Sequence, residues 1–319
     1  MADMGFRNLA VLDNKDGKVA RFFAKLFAVG KLPFALHKGD VLLIQYPFKK
    51  YYSLLCRIAR MKGAKTITLI HDLGTFRRHK LTAEQEIARL SRTDYIISHN
   101  QSMTDWLLEQ GCKVKIGNLE IFDYISPSEG KFPSCGGVRG GLNPVIIYAG
   151  GLGMRKNAYL YEMDSILENL SMKVYGRGLD EKEAAKWTKV KYEGFMPSDE
   201  FIASVEGDWG LVWDGDSVDG CTGNWGEYLR INNPHKTSFY LRAGLPVILW
   251  KEAAMAPFIE KEKIGITVNS LRELPEKIAS ISPEEYAELK RNAELMAKKL
   301  NEGYHFKRAL KAAFSELKI

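Results

Sequence analysis

The chain has 319 residues, 45% of them hydrophobic, and so can bury enough apolar surface for two ordinary domains. It contains no apolar run of about 18 residues, and its first residues lack the basic start and apolar centre of a signal peptide. We therefore expect a cytoplasmic protein. The four cysteines (Cys56, Cys112, Cys135 and Cys221) lie far apart and predict neither a zinc site nor a disulfide framework.

The positive charge is concentrated near the N-terminus. The net charge is +7, and residues 1–50 hold nine Lys and Arg against four Asp and no Glu, a difference of five. Residues 18–31 predict a helix with an apolar stripe and basic neighbours: Val19, Phe22, Phe23, Leu26, Phe27, Lys18, Arg21 and Lys25. Such a helix suits the surface of an anionic membrane at the inner face, although a core-facing helix with a solvated basic rim is an equal alternative. No RNP-like, zinc-finger or helix-turn-helix pattern accompanies the charge, so we expect no nucleic-acid partner.

Short apolar runs then alternate with helical patterns along the chain. The first series contains runs at 41–46, 66–71 and 95–99, and the second contains runs at 145–149, 172–175, 191–195, 209–213 and 246–250. This alternation is typical of parallel α/β sheets. We predict two doubly wound, Rossmann-like domains that face a cleft, with ligands outside the carboxyl ends of the strands.

The domain boundary is predicted in residues 126–144, which are rich in Ser, Pro and Gly and carry no periodicity. An N-terminal domain over residues 1–140 and a C-terminal domain over residues 141–302 follow from it. A closing C-terminal helix is predicted over residues 303–319, after the break at Gly303.

Three loops of the second half carry candidate ligand-binding residues. Gly150 and Gly151 follow a strand and precede Arg155 and Lys156, a pattern that suits a diphosphate-facing turn, although such glycines also serve turn geometry alone. Arg177 stands between two glycines, where it faces either a phosphate or solvent. The ring of Phe195, just before a predicted helix start, could stack on a nucleobase.

The most informative segment is 233–248 (NPHKTSFYLRAGLPVI), in which Lys236, Thr237 and Ser238 open a short helix. Free amides at a helix N-terminus, together with a lysine, attract a diphosphate. A cation there would stabilise a departing diphosphate during glycosyl transfer and could take the role of a metal ion. The plain alternative is a capped helix with a surface lysine.

Two further motifs contain titratable side chains. Asp214 and Asp216 follow an apolar strand in an Asp-x-Asp pattern that metal-dependent glycosyltransferases use, but they come late in the second series, and we interpret them as a polar loop without metal. His71 and Asp72 end a strand in the first half. Either could act as a general base on an acceptor hydroxyl, or both could serve local structure.

These motifs together resemble small two-domain bacterial glycosyltransferases of the galactofuranosyltransferase type, with streptococcal adhesin glucosyltransferases as relatives. The resemblance rests on residues 39–47, 70–72, 210–213 and 234–248. It implies a GT-B fold and transfer from a UDP-sugar to a saccharide, lipid-linked or glycoprotein acceptor in polysaccharide biosynthesis, with no metal or cofactor. By position it implies that Arg155 and Lys236 meet the diphosphate and that Phe195 lies at the uridine. UDP-galactofuranose is the first expectation for the donor.

One departure from that family leaves alternatives open. Its members are expected to begin with a strand and a Gly- or Asn-bearing loop, whereas this chain begins at what corresponds to the end of their first helix, so we expect the first strand to be missing. A non-catalytic nucleotide-sugar-binding partner of another transferase is therefore the alternative, and self-association stays open. A dinucleotide-dependent oxidoreductase is weaker, because no strand-linked G-x-G-x-x-G with an acidic ribose ligand occurs.

Overall fold

The computed structural model describes residues 5–9, 17–48, 51–76, 80–130 and 143–319, without the side chains of residues 18–21 and 25. The described chain divides into two compact units. The first contains the residues up to Ser98, Leu107–Gly117 and Leu310–Ile319, and the second contains His99–Trp106 and the described part of Asn118–Ala309. Most of the predicted boundary segment, and Cys135 within it, lies outside the described residues.

A four-stranded sheet in the order β1-β2-β3-β4 organises the first half of the chain. Strand β1 pairs with β2 and β2 pairs with β3, both in parallel. Because both faces of such strands are covered, nearly every residue of β2 and all of β3 are buried, which explains their continuous apolar runs. The elements are α1 (Lys18–Ala35), β1 (Val41–Tyr46), α2 (Tyr52–Met61), β2 (Lys65–Ile70), α3 (Ala83–Leu90), β3 (Tyr95–Ser98), α4 (Gln101–Glu109) and β4 (Lys115–Asn118).

A six-stranded sheet in the order β10-β9-β8-β5-β6-β7 organises the second half, and every neighbouring pair is parallel. The chain enters at β5, proceeds outward to β7, and then returns to β8 on the other side of β5. The strands are β5 (Val145–Gly151), β6 (Ser171–Arg177), β7 (Val190–Tyr192), β8 (Trp209–Val212), β9 (Val247–Trp250) and β10 (Gly265–Val268). The order reverses between β5 and β8, and such a switch point is where open α/β sheets bind ligands.

Helices of very different length connect and follow these strands. Short helices lie beside the carboxyl ends of the strands, whereas the two long ones, α13 and α14, end the chain. The helices are α5 (Met154–Asn157), α6 (Met163–Ile166), α7 (Glu181–Ala184), α8 (Ser198–Ser204), α9 (Gly223–Gly226), α10 (His235–Arg242), α11 (Ala256–Glu262), α12 (Leu274–Ala279), α13 (Pro283–Asn301) and α14 (Tyr304–Leu317).

The predicted α/β class with two parallel-sheet domains is confirmed, and the strand order of the second sheet reverses as in a doubly wound fold. The three described cysteines, Cys56, Cys112 and Cys221, are free and buried. Within the residues that the model describes, no helix has both the length and the apolar character needed to cross a membrane.

Helix α10 is fixed to the second sheet along its length. The ring of Tyr240 lies on Gly210 of β8, and a Cβ atom at Gly210 would overlap that ring. The Tyr240 hydroxyl accepts a hydrogen bond from the backbone amide of Ala149 at 2.7 Å. At the end of the helix the buried Arg242 guanidinium donates to the carbonyl of Ser128 at 2.7 Å. Packing and hydrogen bonding therefore set the position of α10 relative to β5 and β8.

Replacing Gly210 should destabilise the second unit. We expect Gly210→Ala to reduce the free energy of unfolding by about 1–3 kcal/mol, because the added methyl group must displace the Tyr240 ring in a packed core. The matched control is Gly220→Ala, since a Cβ there would come no closer than 3.9 Å to Trp250. Urea unfolding of both variants measures the difference. Equal stability of the two would show that α10 does not depend on this contact.

Candidate functional site

The switch point of the six-stranded sheet brings together two loops that are distant in sequence. Strand β5 ends at Gly151 and its short loop continues into α5, and the loop after β8 contains Asp214. An isolated bridge joins Asn157 to Gly215, and the amide of Gly215 donates to the carbonyl of Lys156 at 3.1 Å. The backbone therefore holds Lys156 and Asp214 side by side.

Two lysines share the carboxylate of Asp214. Its Oδ1 atom lies 3.0 Å from Nζ of Lys236 and 3.2 Å from Nζ of Lys156. All three side chains are largely buried; that of Asp214 is 15% exposed and that of Lys236 is 17% exposed. Charged side chains buried this deeply are stable only when they are paired. The two lysines and the aspartate therefore form a mutually stabilised cluster with one net positive charge.

Burial and charge act in opposite directions on this cluster. Burial alone would raise the pKa of Asp214, but Lys236 and Lys156 more than offset it and hold that pKa below its usual range. Burial likewise would lower the pKa of Lys236, whereas Asp214 raises it, and the net pKa lies above the usual lysine value. Both groups are therefore ionised at neutral pH.

The glycine turn at the end of β5 (Gly150, Gly151 and Gly153) lies beside Lys236. A Cβ atom at Gly150 would come within 3.2 Å of both Cε of Lys236 and the hydroxyl of Tyr148, so glycine leaves the room that the lysine uses. Nζ of Lys236 donates to the Tyr148 hydroxyl at 2.9 Å. The neighbouring strand β6 also requires a glycine at this point, because a Cβ atom at Gly176 would overlap the carbonyl of Gly150. This close approach of backbone and cations can accommodate an anionic group such as a phosphate.

The start of α10, and with it Lys236, is fixed by Asn233. This asparagine is buried; its Nδ2 atom donates to the carbonyls of His99 at 2.8 Å and Glu120 at 2.7 Å, and its Oδ1 atom accepts from Asn100 at 2.6 Å. Its backbone amide donates to Nδ1 of the His99 ring at 3.0 Å. Asn233 therefore anchors the segment that carries the lysine, a role that its place in the sequence motif did not reveal.

An aromatic pocket of about 340 Å³ adjoins the glycine turn. The guanidinium carbon of Arg177 lies 4.2 Å from the centroid of the Phe195 ring, which is 57% exposed. The other large side chains of the pocket wall are Tyr175, Met196, Phe201 and Phe239. A flat, half-exposed aromatic ring backed by a guanidinium suits the stacking of a planar heterocycle.

The remaining donor-side residues from the sequence analysis lie near this cluster with different exposures. Arg155 is exposed on α5, whereas its neighbour Lys156 is the cation that pairs with Asp214. Thr237 and Ser238 are fully buried, and the Ser238 hydroxyl donates to the carbonyl of Phe122. Sequence reasoning named Arg155 and Lys156 together at the diphosphate-facing turn but selected Arg155 alone as the binding residue, and it overlooked Tyr148.

The two aspartates of the Asp-x-Asp loop differ in burial and in their partners. Asp214 is engaged by two lysines, while Asp216 is exposed and accepts a hydrogen bond from the Thr222 hydroxyl. Within the described ranges, no group of three or more His, Cys, Asp or Glu side chains has a metal-binding arrangement. The two aspartates thus have separate local partners.

The candidate base residues belong to the first unit. His71 and Asp72 are half-buried directly after β2, and the His71 amide donates to the carbonyl of Tyr46 at 2.8 Å. The following turn is held by Glu86, a fully buried carboxylate that accepts from the amides of Gly74 at 3.0 Å and Thr75 at 2.8 Å. Glu86 therefore determines the conformation of the loop that follows the two candidates.

Comparisons with known proteins cover nearly the whole chain. Family models for the glucosyltransferase 3-like N-terminal and C-terminal domains match residues 1–121 and 146–313. The β-1,6-galactofuranosyltransferase WbbI of Escherichia coli K12 is 32% identical over 284 residues, which are 89% of this chain and 82% of the relative. Glucosyltransferase 3 of Streptococcus gordonii is 26% identical over 286 residues, 88% of this chain and 80% of the relative.

Solved structures agree on the fold. The lipopolysaccharide outer core galactosyltransferase WaaB in its apo form aligns with a TM-score of 0.60 at 14% identity, covering 92% of this chain and 81% of that one. Anabaena HepE, solved in complex with UDP and glucose, aligns with a TM-score of 0.58 at 13% identity and the same coverage. The resemblance inferred from the sequence motifs is confirmed: this chain belongs to the glucosyltransferase 3-like family and is a glycosyltransferase with the GT-B fold.

Proposed function

We propose that this glycosyltransferase transfers a hexosyl unit from a UDP-sugar to a saccharide, lipid-linked or glycoprotein acceptor. The observation that carries the proposal is the buried Lys236–Asp214–Lys156 cluster beside the glycine turn and the pocket of Phe195. Together these features offer cations for a diphosphate and a ring for a base. The similarity to WbbI favours UDP-galactofuranose as the donor, with a glucosyl donor as the alternative.

Lys236 and Lys156 would assist departure of the nucleotide. Transfer breaks the bond between the anomeric carbon and the β-phosphate oxygen, so negative charge develops on the leaving diphosphate. Two ammonium groups held near that position stabilise the charge more in the transition state than in the ground state, which is the contribution a divalent cation makes elsewhere. We therefore propose a metal-independent reaction without a cofactor. Arg155 would contribute an exposed cation, and Thr237 and Ser238 would contribute the first turn of α10 at the same position.

Phe195 and Arg177 would bind the uridine. The exposed face of the Phe195 ring can stack on the base, and the guanidinium on its other side restricts the ring. Gly150 and Gly151 allow the diphosphate to approach the backbone closely. The proposed sites for the diphosphate and the uridine thus lie at the ends of two neighbouring strands, β5 and β6.

Asp72 or His71 would act as the general base toward the acceptor hydroxyl. Both follow the carboxyl end of β2, where ligands meet parallel sheets, and the buried Glu86 fixes the adjoining turn. The base would take the proton from the acceptor oxygen as that oxygen bonds to the anomeric carbon.

We also propose that α1 contacts an anionic membrane surface at the cytoplasmic side. Its core-facing positions are Ala28, Val29 and Leu32, whereas the aromatic residues of the predicted stripe are exposed, Phe23 at 60% and Phe27 at 63%. The helix sequence contains four Lys and Arg residues and no acidic residue. Exposed aromatic side chains with surrounding positive charge match a bilayer interface that carries anionic headgroups.

The role of Lys236 can be tested by calorimetry with UDP in the presence of EDTA. We expect wild-type binding to persist, and Lys236→Gln to weaken it by about 10–100-fold and to lower turnover of a UDP-sugar by about 10²–10³-fold, because the leaving diphosphate loses a buried cation. Lys261→Gln, at an exposed position on α11, is the control. Strict metal dependence would instead favour Asp214 and Asp216 as metal ligands. Binding without turnover would favour the non-catalytic alternative.

The membrane contact can be tested by co-sedimentation with vesicles of phosphatidylglycerol and of phosphatidylcholine. We expect binding to the anionic vesicles only, and a loss of at least about tenfold for Phe23→Gln/Phe27→Gln, since two aromatic side chains no longer enter the interface. Leu295→Gln, which removes an exposed apolar side chain on α13, should bind like the wild type. The proposal would be overturned if the double variant sedimented with the vesicles as the wild type does. It would also be overturned if the substitutions abolished self-association of the protein instead of vesicle binding.

A further inference from the structure

We infer that Asp214 is a positioning residue of the donor site, which holds Lys156 and Lys236 together and keeps both charged for the diphosphate. This inference rests on the proposed function, because it assumes that the two lysines receive the donor. It assigns the Asp-x-Asp carboxylate to side-chain cations rather than to a metal ion.

The geometry gives Asp214 a central place between the lysines. A single oxygen, Oδ1, lies 3.0 Å from one ammonium group and 3.2 Å from the other. The lysines come from different elements, α5 and α10, so their helices do not by themselves keep the two nitrogen atoms adjacent. The hydrogen bond from the Gly215 amide to the Lys156 carbonyl fixes the backbone next to the carboxylate. Asp214 therefore links α5 and α10 at the switch point.

Electrostatics makes the carboxylate necessary for the charge state of the lysines. Two buried ammonium groups this close repel each other, and in a poorly solvated site one of them would release its proton. The titratable groups facing Lys236 are Asp214 from the loop after β8, Lys156 from α5, Tyr148 from β5, Tyr240 from α10, and Cys221. Among these groups Asp214 is the carboxylate, and the lowered pKa of Asp214 keeps it ionised.

The contacts of Asp216 distinguish the positioning role of Asp214 from metal binding. A carboxylate pair that holds a divalent cation directs oxygen atoms at one point, whereas Asp216 is exposed and accepts from the Thr222 hydroxyl. Asp214 in turn has ammonium groups at hydrogen-bond distance, where a cation would be repelled. The pattern in the sequence is thus shared with metal-dependent enzymes, while its local chemistry is different.

The inference is tested with Asp214→Asn and its matched control Asp216→Asn, by calorimetry with UDP and EDTA at about pH 7 and about pH 9. We expect Asp214→Asn to bind about tenfold more weakly at the lower pH and about a hundredfold more weakly at the higher pH, because Lys236 loses its proton in this range. Dividing each affinity by that of the wild type cancels the titration of UDP itself. Asp216→Asn should match the wild type at both pH values.

A second readout does not depend on UDP. Acylation of Lys236 by an amine-reactive reagent, followed by mass spectrometry, reports its protonation, with the exposed Lys261 as the internal reference. We expect faster acylation at about pH 9 in Asp214→Asn than in the wild type. If that variant does not fold, Asp214→Asn/Lys156→Gln removes one charge of each sign, and we expect it to bind UDP with the pH profile of the wild type but with lower affinity.

The outcomes separate the inference from the function on which it rests. No UDP binding by the wild type would contradict the proposed function, whatever the acylation shows, and the inference would fall with it. Binding by the wild type with a parallel pH profile and unchanged acylation in Asp214→Asn would overturn the inference alone. Tighter binding in that variant would show that the carboxylate competes with the diphosphate, which also overturns it. Binding that requires Mg²⁺ and is lost in Asp214→Asn would make Asp214 a metal ligand instead.

Discussion

One buried carboxylate shared by two lysines is the interaction on which the candidate site depends. It lies at the switch point of the second sheet, where the loops after β5 and β8 become neighbours although about 60 residues separate them. Burial makes each charge costly alone, so the three side chains are stable only as a set. The same burial strengthens their field at the glycine turn. Asp214 therefore connects the local structure of the two loops with the charge of the site and with the proposed binding of a diphosphate.

Much of the surrounding structure serves to hold Lys236 in this position. Asn233 ties the start of α10 to the backbone near His99 and Glu120, and Tyr240 fixes the middle of the helix to β5. Gly210 provides the space in which the Tyr240 ring lies. A lysine on a helix fixed in this way loses little further freedom when it meets an anion, which is the physical meaning of a preorganised site.

Sequence periodicity predicted most of the fold because buried parallel strands leave continuous apolar runs. Strands β2, β3, β8 and β9 were predicted for this reason, and they are almost wholly buried. Strands β4 and β10 were not predicted, because β4 (KIGN) contains a single large apolar side chain and β10 (GITV) begins with glycine, so neither shows a continuous apolar run. For α1 the pattern predicted a helix but left open which face is buried, and the core lies against Ala28, Val29 and Leu32 rather than the Phe stripe.

The sequence by itself determined the fold class, the family and the segment that carries Lys236, because these depend on local patterns and on motifs of adjacent residues. Phe195 and Arg177 also lie where a strand-to-loop pattern predicted them, although their mutual contact was not foreseen. Only the tertiary structure decided that Lys156 rather than Arg155 pairs with Asp214, that Tyr148 contacts Lys236, and that Asn233 is an anchor. These are contacts between residues far apart in sequence, and their partners are set by the order of strands in the sheet, which no local pattern encodes.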